Sequence, residues 1–173
     1  SNYSMPFPSD VIYRINLAWI NTIDELSEIL SKHKNHKIFL DLPVRRTKPP
    51  ENRYSIDDLT PIIKNFSNIR YLAVSNVNSK DDVLDIQNKL PDNITLVPKI
   101  ESILGIVNIK SIIDSIKSKK KIIMLDHDDL YRSIEKNNEL ISKFQNSINT
   151  LIEFCKENEI ILLRTRGVIF ADD

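Results

Sequence analysis

The sequence predicts an α/β protein built on parallel strands, of the (β/α) TIM-barrel-like kind and apparently incomplete, with six recognisable βα units. Three observations predict it. Six short apolar runs are continuous in Val, Ile, Leu and Phe rather than alternating, as strands buried on both faces are. Segments with helical spacing lie between them. The runs begin roughly every 25 to 38 residues, the period of a strand, a crossover helix and the next parallel strand.

In chain order the runs are VIYRINLAWI from Val11, KIFLDLP from Lys37, IRYLAVSNV from Ile69, ITLVPKIES from Ile94, KIIMLDHDDL from Lys121 and EIILLRTRGVIF from Glu159. After the first, IDELSEILSKHK places Ile23, Leu26 and Leu30 on one helix face, behind a cap at Asn21 or Thr22. SKDDVLDIQNKL opens with Ser79 as a cap and acids in its first turn, which suits the helix dipole. Two longer helical segments follow, GIVNIKSIIDSIKSKKK and SIEKNNELISKFQNSINTLIEFCKEN. The basic run at 117–121 is expected to close the first of these as a helix C-terminus. The domain is expected over 11–173, with 1–10 a tag remnant and N-terminal extension.

Composition removes several function classes. Lys+Arg and Asp+Glu balance at 24 each, so no global field attracts nucleic acid or an acidic membrane. No apolar run approaches the roughly 20 residues that span a bilayer. One cysteine, Cys155, rules out an internal disulfide framework and a multi-cysteine zinc site. A cytoplasmic protein is the expectation. The two glycines, Gly105 and Gly167, leave no GxGxxG or P-loop, so neither NAD nor a nucleotide loop is expected. Cys155 reads as core, His33 and His36 as a solvated helix end, and Trp19 as packing or the roof of a pocket.

Every strand ends in polar residues that a plain core would not need: Arg14 and Asn16, Asp41, Ser75, Lys99 and Glu101, Asp126 to Asp129, then Arg164, Thr165 and Arg166. In parallel α/β folds function gathers at these ends. Lys99 and Glu101 stand two apart, so a strand projects both from one side. They make either an ordinary surface ion pair or part of an active site with a metal and a lysine.

The segments YRINLAWI, FLDLPVR, SIDDLTPII, LAVSNVNSKDDVLDIQNKL, PKIESILGIVNIKSI, IIMLDHDDL and IILLRT resemble, in order, the catalytic barrel of pyruvate kinases, in the pyruvate and phosphoenolpyruvate TIM-barrel superfamily. The resemblance implies that Glu101 and Asp129 hold a divalent metal, Mg²⁺ or Mn²⁺, whose preferred ligands are carboxylate oxygens. It implies that Lys99 steadies the transferring phosphoryl group and the enolate oxygen. Thr165 stands beside the substrate's methylene carbon, Arg14 faces the phosphate, and Asn16 and Asp41 lie near a monovalent-cation site. Asp128 and His127 replace the family's glycine and arginine in the substrate-binding loop, and Ala18, Trp19 and Ile20 replace the serine, histidine and glycine that follow the arginine strand.

The nucleotide lid and the C-terminal domain are expected to be lacking, as are the first and eighth strands. A partner chain, a missing part of a longer polypeptide or a smaller barrel could close the gap. Three functions follow. The first is a metal-dependent lyase, aldolase or phosphotransferase that binds phosphoenolpyruvate, pyruvate or a related oxo acid and stabilises its enolate. The second is a metal-free enzyme with a Schiff base on Lys99. The third is a catalytically degenerate binding or assembly module. Expected partners are a small oxo acid or phosphoenolpyruvate and either a second copy of the chain or the missing part of a longer one, with no nucleic acid and no membrane.

Overall fold

The protein is seen in a computed structural model that describes residues 10–46, 49–137 and 142–165. The chain divides into two compact units, 1–75 with 85–96, and 76–84 with 97–173.

The first unit carries strands β1 (Ile12–Asn16), β2 (Lys37–Leu42) and β3 (Ile69–Val74), paired in parallel as β1-β2-β3. A single 3-10 turn, Leu17–Trp19, ends the first apolar run. Helix α1 (Ile23–Lys32) begins at Thr22, whose hydroxyl accepts from the Glu25 N–H at 3.1 Å, the second of the two expected caps. Leu26 and Leu30 are fully buried, as their spacing requires. Helix α2 (Ile56–Asn65) was not expected. Ser55 and Asp58 build a capping box at its start, the Ser55 N–H donating to Asp58 Oδ2 at 2.8 Å and the Asp58 N–H to Ser55 Oγ at 3.2 Å. His33 departs from the solvated end predicted for it. It stacks on Tyr13 with ring centroids 4.5 Å apart, and burial lowers its pKa.

The second unit carries β4 (Thr95–Ile100), from Val97 onward, β5 (Ile122–Leu125) and β6 (Ile161–Arg164), again parallel. Pro98 has no N–H to give a ladder, and the β4–β5 register runs through Lys99 and Ile100 just beyond it. Helices α4 (Ile103–Val107) and α5 (Ile109–Ser115) follow β4. The chain turns extended at Ile116, so the basic run at 117–121 is a loop leading into β5 and not the helix end predicted. Helix α6 (His127–Lys136) starts inside the fifth apolar run, and α7 (Ser142–Glu157) precedes β6. Cys155 is buried, as expected of a core residue, and burial pushes its thiol up to about 11.

Helix α3 (Lys80–Gln87) runs from the second unit into the first. Ser79 opens it as predicted, the Asp82 N–H donating to Ser79 Oγ at 3.4 Å while Asp82 Oδ2 accepts from the N–H groups of Asn78 and Ser79 at 3.0 and 2.9 Å. The fold is therefore α/β with six parallel strands among the described residues. Among the described residues β1 pairs with β2 and β6 with β5. Arg166, Gly167 and VIFADD lie outside the described residues.

Candidate functional site

The second unit gathers Lys99, Glu101, Asp126 and Asp129 at the carboxyl ends of β4 and β5. Lys99 is the last residue but one of β4, and its Nζ lies 2.8 Å from Glu101 Oε1. Their side chains are 6% and 2% exposed. The pair is thus no surface ion pair. Burying two charges costs several kcal/mol each before their attraction offsets it, so hydrophobic packing alone would not select them here.

A tight loop orients Glu101. Asn76 adopts a left-handed conformation, φ 56°, and its backbone N–H donates to Glu101 Oε2 at 2.7 Å. Asparagine tolerates that conformation better than most residues. The Val77 N–H donates to Lys99 O at 3.2 Å, the Ser102 hydroxyl donates to Asn78 Oδ1, and Asn108 Nδ2 donates to Asn78 O at 2.8 Å. Gly105 lets α4 approach this loop: a Cβ there would sit 2.7 Å from Val77 O.

One carboxylate oxygen each from Glu101, Asp126 and Asp129 lies within 4.8 Å of the others. Asp126 also caps α6, its Oδ1 accepting from the N–H groups of Asp128 and Asp129, both at 3.2 Å. Desolvation raises the Glu101 pKa, and Asp129 adds to the rise; the Lys99 ammonium and the Asn76 N–H oppose it. Carboxylate oxygens in this number suit a hard divalent cation such as Mg²⁺ or Mn²⁺.

Of the predicted site residues, the structure brings together Lys99, Glu101 and Asp129. Asp126 completes the cluster, although the sequence reading left it without a metal role; its signal was the strand-end D-x-x-D spacing. Asp128 is exposed and outside the cluster. Thr165 follows β6, its N–H donating to Leu125 O at 3.1 Å, and it lines a cavity of about 510 Å³ with His127, Leu162, Leu163 and Arg164. Arg14 belongs to the first unit. There it pairs with Asp41, whose side chain is 1% exposed, beside a cavity of about 150 Å³ lined in part by Asn16 and the exposed Trp19. Ser75 is buried, its N–H donating to Leu42 O.

No protein-family profile and no curated protein matches the chain. Among solved structures it is similar to RipC from Yersinia pestis, with a TM-score of 0.66 and 16% identity over 96% of this chain and 76% of that one. Identity this low speaks for the fold alone. The resemblance to pyruvate kinases is overturned: the fold is shared with RipC, and no family profile places the chain among those kinases. Alternating strands and helices with polar strand ends are common to parallel α/β proteins, so seven short segments in order reflected that shared plan.

Proposed function

We propose that the second unit carries a divalent-metal-dependent enzyme site that binds an oxo acid, of the pyruvate or phosphoenolpyruvate kind, and stabilises its enolate. The observation that carries the reading is the buried Lys99–Glu101 pair set against Asp126 and Asp129. Under it the strands belong to a (β/α) barrel-like architecture, in which chemistry collects at the carboxyl ends of the strands.

Glu101, Asp129 and Asp126 would hold the cation, which supplies Lewis-acid polarisation of the substrate's oxo group. Lys99 keeps a fixed positive charge beside the cluster, where charge developing on the substrate oxygen is stabilised without reorganisation. Asn76 fixes the second Glu101 oxygen, so the carboxylate cannot swing away. The same geometry disfavours the Schiff-base reading, because Glu101 in contact with Lys99 favours the ammonium over the nucleophilic amine.

Calorimetric titration of oxalate, an enolate mimic, tests the proposal. Binding should require Mn²⁺ and disappear in Glu101→Gln. The proton competes with the metal for Glu101, whose folded pKa is raised. Mn²⁺ affinity should therefore begin to fall at a pH above the ordinary glutamate value of 4.5 and keep falling as the medium is acidified. Oxalate binding indifferent to Mn²⁺, or none at millimolar oxalate, would sink the enzyme reading. The alternative is a catalytically degenerate binding or assembly module, favoured by Leu104 and Val107, 57% and 73% exposed on α4.

A further inference from the structure

The cavity beside β6 holds a cation that the metal cluster does not use. Arg164 directs both its Nε, at 3.2 Å, and an Nη, at 2.9 Å, onto one atom, Nε2 of His127. An arginine can only donate, so Nε2 is the acceptor, and the ring proton sits on Nδ1, facing Thr165 O at 3.1 Å. No carboxylate lies within ion-pair distance of Arg164 among the described residues. A guanidinium has five N–H donors, and two of them share a single lone pair here. His127, itself anchored by the Thr165 carbonyl, holds the guanidinium at the wall of a space of about 510 Å³. Leu162, Leu163 and Thr165 line the rest of it.

We propose that this cavity is an oxyanion-binding subsite, with Arg164 as its anchor and His127 as the neutral group that holds Arg164 in place. It takes a phosphate or carboxylate group carried on a short apolar stem, the stem lying on Leu162, which the strand directs to the same side as Arg164. A planar fork of N–H donors matches both oxyanions in bidentate fashion. The adjacent turn bears Asp126, Asp128 and Asp129, whose charges oppose an anion. Asp126 and Asp129 belong to the acidic cluster, and Asp128 is exposed. Its removal should therefore strengthen binding. The proposal stands on the cavity and the Arg164–His127 geometry and does not require the metal.

The test uses the full chain, freed of metal by a chelating resin, titrated separately with inorganic phosphate and with malonate. The Thr165 backbone amide resonance, at the cavity and present in every variant, is followed by NMR. Both arms run on wild type, Arg164→Gln, Arg164→Lys and Asp128→Asn. A saturable shift is expected with at least one probe. Affinity should fall at least about tenfold in Arg164→Gln, as loss of a charged hydrogen-bond donor implies, recover in part in Arg164→Lys, and rise about two- to threefold in Asp128→Asn. The tighter probe identifies the ligand's terminal group as phosphate or carboxylate. Absence of a saturable shift at tens of millimolar, or equal affinity in Arg164→Gln, would overturn the proposal. Because metal is excluded, failure here leaves the oxalate result untouched, and the converse holds too.

Discussion

Each unit ends a strand with a cation against a buried carboxylate, and the two pairs are built differently. In the first unit Arg14 crosses from β1 to Asp41 on β2, the arginine side chain 40% exposed and the aspartate 1%. In the second, Lys99 and Glu101 rise from the same stretch of chain and both are buried. A guanidinium half in water can keep one face solvated, so the first pair ties neighbouring strand ends together at modest cost. A lysine and a glutamate shut away together forfeit hydration on both sides, and two more carboxylates lie against them. The contrast teaches that charge pairing at a strand end is not one device. One pair reads as a clasp, the other as a charged interior held ready.

The sharpest way to break this comparison is to remove one partner from each pair. Lys99→Met leaves a buried carboxylate uncompensated and should cost about 3–5 kcal/mol, whereas the double variant Lys99→Met with Glu101→Leu should recover most of that loss. Arg14→Met should cost less, about 1–3 kcal/mol. Urea denaturation of the four proteins measures the order, and equal losses at Lys99 and Arg14 would erase the distinction. A smaller effect should follow from Gly105→Ala. The added methyl meets Val77 O, and overpacking of that kind costs about 1–3 kcal/mol. The Asn76 amide resonance should move as the loop is displaced, and an unmoved amide would deny the loop its part in orienting Glu101.

Cys155 gives the smallest effect. Its folded pKa, about 11, lies above the ordinary thiol value of 9.0, so the native state holds the proton longer than the unfolded one. The stability it contributes is complete below pH 9 and is lost as pH rises towards 11. A disulfide reagent at pH 8 should leave the native thiol unmodified and label it in urea.

Much of this was legible beforehand, and the reasons differ by element. The period-two rule placed Lys99 and Glu101 together because a strand has no other way to direct them. It could not say that both are buried, since that depends on the loop from Asn76 to Ser79 and on α4, elements distant in sequence. Ser79 and Thr22 were readable as caps because capping is local chemistry. Helix α2 escaped although Ser55 and Asp58 spell its start, because Pro61 stands mid-helix, where proline ordinarily breaks one. KSKKK suits a helix end by charge, yet Ile116 had already left the helix. The family resemblance failed for another reason: strand-end motifs of three or four residues repeat across unrelated parallel α/β proteins.

Asp126 caps the first turn of α6 and also offers an oxygen to the acidic cluster. Any genetic dissection of this protein inherits that double duty. An alanine at 126 would unfasten a helix and discharge the cluster in one stroke, and its phenotype would speak for neither. Asparagine retains the acceptor that a helix start favours while removing the charge, so that single exchange divides architecture from chemistry at this position.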